Sequence, residues 1–186
     1  SKNGTIYVGN DDSKFYSFNP DGTTNHVWNC AAQVAGAASI DALGNILAAD
    51  QAGYVYCFNP NGTTTRVWKC GTMVYQSSPV IGSNGHIYVT AYHSPTGLFY
   101  DLHPLGSTSH VWTLAEDICE GPPTVLANGS FLAGCGYKLY ACGVNGNTSV
   151  YWDVDGYIRG APLVLNNGNI HIGTESGSKF YAFNGL

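Results

Sequence analysis

The residues of this sequence with chemistry to offer a ligand are two carboxylate pairs, six histidines and six cysteines. Glu116 with Asp117, and Asp153 with Asp155, have the residue types for acid–base work on a glycosidic bond, which needs one carboxyl kept protonated in an apolar pocket. Both pairs fall beside predicted strand ends, where turns favour Asp, and they read as structural. The stretch DVDG at 153–156 opens like a calcium loop, but Val164 stands where the bidentate Glu belongs, so it reads as a turn. His26, His86, His93, His103, His110 and His171 are spread over separate strands, and His26 and His110 occupy the same place before Val-Trp; edge-strand surface positions, not metal ligands, are the expectation. Cys30, Cys57, Cys70, Cys119, Cys135 and Cys142 show no CxxC spacing; their even number permits disulfides without fixing the pairing. Cys30 and Cys70 each follow a Trp by two residues and are candidates for proximity, while Cys142 reads as a buried thiol. Sequons for N-glycosylation begin at Asn3, Asn61, Asn128 and Asn147, three of them in Asn-Gly turns.

The elements that must position these groups come from an internal repeat. NGTIYVGN (3–10) is echoed by GNILAAD, NGHIYVTA, NGSFLAGC and NGNIHIGT, anchored on Gly4, Gly44, Gly85, Gly129 and Gly168 at steps of 40, 41, 44 and 39. A second run follows each anchor, KFYSFNPDG, YVYCFNPNG, LFYDLHPLG, KLYACGVNG and KFYAFNG, with Tyr16, Tyr56, Tyr100, Tyr140 and Tyr181 at one position. Trp28, Trp68, Trp112 and Trp152 close each unit and are all the tryptophans of the chain. A further short strand precedes the later anchors, with Ala38, Pro79, Pro123 and Pro162 six residues before their glycines. Period-2 patterning and no amphipathic helix, at a period near 40 with four strands per unit, predict an all-β propeller of about five blades of four-stranded antiparallel sheets.

One domain is expected over 1–186, with blade-like units near 1–30, 31–70, 71–114, 115–154 and 155–186. The second strand (Ile6, Ile46, Ile87, Phe131, Ile170) and the third (Phe18, Phe58, Leu102, Cys142, Phe183) should supply the core between blades. The tryptophans should dock there too, each N–H finding a backbone carbonyl. The chain opens at a second strand and closes after a third, so the terminal blades are incomplete and their open edges can accept a partner strand. Ser1 precedes the first strand pattern with neither initiator Met nor signal peptide, which reads as numbering begun after processing or at a cut boundary.

The order of strand pair, Tyr in the third strand, DG or NG turn and Trp ending the fourth strand resembles the PQQ-like, quinoprotein-type blade family over essentially the whole chain, in degenerate copies. WD40 and kelch repeats fit less well, with no GH and WD dipeptides and no glycine doublet in place. The resemblance implies PQQ-dependent alcohol and sugar dehydrogenases, which use about eight blades, an adjacent-cysteine ring disulfide over the cofactor and calcium ligands. This sequence has no Cys-Cys dipeptide and barely five units, so no cofactor and no metal are expected.

Charged residues are only 10% of the chain and the formal charge of -5 is mild, with seven scattered Lys and Arg; no basic stripe suits nucleic acid. No apolar run reaches the ~18 residues of a membrane span. Ligands of propellers sit where loops are free of packing, so positions that differ between blades are informative. Just before the innermost strands stand Ala35, Gln76, Glu120 and Arg159, and a polar channel mouth of Gln76, Glu120 and Arg159 is the expected ligand site. The expected function is a non-catalytic binding or scaffolding propeller outside the cytoplasm (extracellular, cell-surface or periplasmic), with a protein partner or self-association. A sugar-binding lectin is the alternative, with the Tyr column as stacking platform if it is not core. A fragment of a PQQ-dependent dehydrogenase ranks below both.

Overall fold

The computed structural model describes residues 1–116 and 119–184, and every regular element within them is a β-strand. Asp117, one of the expected carboxylates, lies outside the described residues. The first sheet is β1 (Ile6–Gly9), β2 (Lys14–Phe18) and β3 (Thr24–Asn29). The second is β4 (Ser39–Ile40), β5 (Ile46–Ala49), β6 (Tyr54–Phe58) and β7 (Thr64–Lys69). The third is β8 (Val80–Ile81), β9 (Ile87–Ala91), β10 (Gly97–Leu102) and β11 (Thr108–Leu114). The fourth is β12 (Thr124–Val125), β13 (Phe131–Cys135), β14 (Lys138–Cys142) and β15 (Thr148–Asp153), and the fifth β16 (Leu163–Val164), β17 (Ile170–Gly173) and β18 (Phe180–Phe183). All pairings join sequence neighbours antiparallel, giving blades of a β-propeller with three strands in the first and last. The innermost strands are two residues long, because the paired segment must stay short where blades converge.

The anchor glycines explain the tight hairpins. Gly44 has φ 86° and donates its N–H to the Asp41 carbonyl at 3.0 Å, while Asp41 Oδ1 accepts from the Asn45 N–H at 2.8 Å. A residue with a Cβ is strained in that left-handed conformation, so the turn selects Gly and a preceding short polar residue.

The middle strands of the inner blades are buried on both faces, and their period-2 alternation sorts residues between two neighbours. Ile46 and Ala48 pack back on Phe15 and Trp28 of the first unit, together with Val34 of the connecting segment, whereas Leu47 and Val55 pack forward on Ile87 and Val89. The device recurs between the third and fourth sheets, where Phe99 and Phe131 stack at 3.7 Å, and between the fourth and fifth, where Leu132 and Leu139 meet Ile170 and Ile172. Each buried large side chain contributes about 1.5–3 kcal/mol of transfer free energy, which one small sheet cannot collect alone.

Two expectations need correction. Ile6 is 58% exposed, while Ile46, Ile87, Phe131 and Ile170 at its repeat position are buried, because the face of β1 that carries it has no preceding blade. At the other end Phe180 is 70% exposed, although Phe15, Val55, Phe99 and Leu139 at its position are buried. The tryptophans do dock between blades, and Trp68 follows the expected bond, its Nε1 donating to the His103 carbonyl at 3.0 Å. Nε1 of Trp28 and of Trp112 is buried with no acceptor, those rings being held by contacts with Phe58 and Phe131 instead.

Candidate functional site

The segments that enter successive blades run side by side at the inner rim. Gly121 allows this: a Cβ there would lie 2.5 Å from the Arg159 carbonyl oxygen. Thr90 Oγ1 donates to the Gly121 carbonyl at 2.6 Å, and the Ala37 N–H to Ser78 Oγ at 2.8 Å, so the rim is stitched blade to blade. On it Arg159 Nη1 lies 3.1 Å from Glu120 Oε2, and Arg159 Nε 2.8 Å from Glu175 Oε2. Both are ion pairs by distance, not aligned hydrogen bonds. The structure thus brings Glu120 and Arg159 together and adds Glu175, from the β17–β18 turn, which sequence reasoning missed because that turn lies outside the compared position. Gln76 sits exposed at the equivalent position one blade back. Glu120 is buried, and pairing a buried carboxylate does little more than offset its own desolvation, so stability gives little reason for placing three charges here.

The other carboxylates are absorbed by lysines. Lys138 Nζ bridges Glu116 Oε1 at 3.1 Å and Asp153 Oδ1 at 3.0 Å, and the two carboxylates raise its pKa. Asp155 pairs with Lys179 and with the Tyr181 hydroxyl, which together hold its carboxyl below the usual range. A catalytic acid needs the opposite shift.

The Tyr column is a set of clasps. Tyr56 and Tyr100 are buried, and their hydroxyls accept the N–H of Ala31 and of Gly71, both at 2.9 Å; Tyr181 reaches the N–H of Asp155 at 3.4 Å. Ala31, Gly71 and Asp155 each stand three residues after the Trp of the preceding blade. Tyr140 is buried at the same position with its hydroxyl facing the backbone of Ala115, again three residues after a Trp, though outside well-aligned hydrogen-bond geometry, and Tyr16, with no blade before it, bonds Asp12 instead. The buried rings of Tyr56, Tyr100 and Tyr140 have no open face on which a sugar could stack. Asp50, which the sequence did not single out, is fully buried and accepts from the N–H groups of Ala31, Ala32 and Tyr54 and from the Tyr56 hydroxyl at 2.8–3.1 Å.

A second polar cluster sits in a groove of about 340 Å³ between the third and fourth blades. His86 Nδ1 lies 2.5 Å from Asp101 Oδ1, and Asn84 Nδ2 donates to the Tyr88 hydroxyl at 3.0 Å. Blade 3 alone carries a His–Asp pair at these positions; the signal in sequence was the departure of His86 and Asp101 from the repeat. His26 and His110 lie against Trp28 and Trp112 (ring centroids 5.6 and 4.3 Å), and His26 is half-buried rather than simply surface. No cluster of three His, Cys, Asp or Glu suits a metal among the described residues. Cys119 and Cys135 form a disulfide, and Cys30 and Cys70 are free. Those two serve different inter-blade cores, which is why equal repeat positions do not bring them together. Cys142 is a buried free thiol, as expected, and burial pushes it, Cys30 and Cys70 up to about 12. All four sequon asparagines are exposed.

No family model matches the chain, and neither does any curated protein. Solved structures do. The WD40 beta propeller domain of Doa1 matches with TM-score 0.77 and 14% identity over 97% of this chain and 60% of that one. BamB from Moraxella catarrhalis matches with TM-score 0.74 and 14% identity over 97% and 55%, and streptogramin B lyase with 0.69 and 14% over 99% and 66%. The chain therefore spans little more than half the length of the first two. At such identity the likeness establishes a β-propeller fold, and no helix among the described residues is long and apolar enough to cross a membrane.

Proposed function

We propose that the chain is a non-catalytic recognition module of the PQQ-like repeat type, binding a protein partner at the inner rim through Gln76, Glu120 and Arg159, with Glu175 completing the set. The observation that carries this reading is the convergence of Glu120, Arg159 and Glu175 where other blades place Ala35 or Gln76 and where packing asks for no charge. Arg159 keeps part of its guanidinium exposed between two carboxylates, a fixed fork able to meet a partner's backbone or carboxylate. Residence outside the cytoplasm is supported by the Cys119–Cys135 disulfide, since such bonds persist in oxidising compartments.

A photo-crosslinking residue at Gln76, set against one at the exposed outer-turn Leu105, tests the reading on the native chain. One discrete crosslinked protein at Gln76, lost in Arg159→Glu with unchanged melting, is the expected result. Equal labelling from both positions sinks it. Glycan binding is favoured by a separate observation, the groove where His86, Asp101 and Asn84 surround Tyr88 and Trp112. A glycan array that stays blank with the native chain, or that reads the same for Asp101→Ala, removes it.

A further inference from the structure

The repeat places one and the same groove at two joints, and they differ. Cys57, Trp68, Ile87 and Pro104 line it between the second and third sheets, and Asp101, Trp112, Phe131 and Val144 hold those repeat positions between the third and fourth. Its volume is about 40 Å³ at the first of these joints and about 340 Å³ at the second. At the narrow joint Trp68 Nε1 donates across to the His103 carbonyl of the next sheet and ties the two sheets together. At the wide one Trp112 Nε1 has no acceptor, and the space between the sheets stays open.

The wide groove thus holds a donor and an acceptor that the chain does not pair. An indole N–H can only donate, and one that is buried without a partner is destabilising. Asp101 Oδ1 is taken by His86 Nδ1 at 2.5 Å, which fixes the carboxylate and leaves Oδ2 with no donor among the described residues. With 14% of its side chain exposed, Asp101 is too enclosed to be an ordinary solvated surface charge. The other joints lack this combination. Trp28 Nε1 is also unbonded, but Ser17 stands there in the place of Asp101, fully buried and already accepting from the His26 N–H at 3.0 Å. Cys57 and Ala141 hold that place in the second and fourth sheets.

A ligand suited to this pair must accept from an indole N–H and donate to a carboxylate. An anion is repelled by Asp101 and has no proton to give, while an ammonium group cannot accept. Neighbouring hydroxyls do both, and the volume is at the small end of ligand pockets, with room for one ring. We propose that the groove between the third and fourth blades is a subsite for one uncharged sugar ring, Trp112 Nε1 donating to one of its oxygens and Asp101 Oδ2 accepting from an adjacent hydroxyl. This rests on the glycan reading of the groove and adds the class of ligand and the two atoms that select it. His86 acts as a positioning residue, holding the Asp101 carboxylate in place.

NMR of the indole N–H signals tests this on the native chain, titrated with the methyl glycosides of glucose, galactose, mannose and N-acetylglucosamine, and with acetate and methylammonium as charged controls. At least one glycoside is expected to shift the Trp112 signal to saturation while Trp68 stays in place. By calorimetry with that glycoside, Asp101→Asn and Trp112→Phe are each expected to bind at least about tenfold more weakly, since each takes away one hydrogen bond made to the ligand. Trp112→Phe removes no hydrogen bond that the free chain makes, and melting curves verify that both variants fold. A Trp112 signal unmoved by every glycoside, an equal shift at Trp68, a response to the charged controls alone, or native affinity in Asp101→Asn overturns the proposal. If the native chain binds a glycan on an array while the Trp112 signal stays fixed, the glycan reading survives and this subsite does not; if both are silent, both fall.

Discussion

Asp50 illustrates how much a single side chain can organise when it is buried with every partner in place. It has no access to water, and its oxygens collect three backbone N–H groups and the Tyr56 hydroxyl, two of those N–H groups coming from the strand exit of the preceding blade. A carboxylate suits this setting because all four partners donate; an amide would turn an NH₂ toward N–H groups. Asp50→Asn is therefore expected to lower unfolding free energy by about 2 kcal/mol in urea titration, the cost of a buried network left partly unsatisfied. Tyr16→Phe, which removes only an exposed hydroxyl bond to Asp12, should stay within about 0.5 kcal/mol of the native value. Equal losses for the two would show that the buried clasp has no special weight.

Between strands and sheets, the tryptophan column separates packing from hydrogen bonding. Trp28 and Trp68 hold the same position and are almost equally buried, but only Trp68 donates to a carbonyl. Trp68→Phe should therefore cost about 1 kcal/mol more than Trp28→Phe in the same denaturation measurement, since the two lose similar apolar surface and differ by one bond. The strands, their turns and this column were readable in sequence because each depends on residues close along the chain: Gly44 on its own backbone, Ile46 and Leu47 on alternation. What joins residues across blades was not. Asp50 was not singled out because two of its four donors, the N–H groups of Ala31 and Ala32, lie in the exit of the preceding blade, and Glu175 was invisible as Arg159's partner. The Cys119–Cys135 pairing depends on how a blade's entry segment lies against its second strand, which no spacing rule encodes. Gln76, Glu120 and Arg159 were found only because repeats make departures visible, and Ile6 was misjudged because the repeat predicts a neighbour that the first blade lacks.

Across the whole molecule, stability is close to a sum of blades and the joints between neighbours. The three inner sheets have two joints each and the end sheets one, and a cavity of about 540 Å³ beside Tyr7 and Ile40 marks where the first blade lacks an innermost strand. Amide hydrogen exchange should therefore be slowest in β9 and β10 and faster by at least about tenfold in β1 and β17, with protection lost from the ends inward. Uniform protection across the five sheets would contradict a nearest-neighbour array. The hydroxyl clasps carry this logic into heredity. Since the Tyr of one unit grips the peptide three places beyond the Trp of the unit before, each stretch of about forty residues brings one hand and one handle. A gene segment of that length can be duplicated or deleted in register and every surviving grip still finds its hold, so blade number is free to drift while the joint itself stays unchanged.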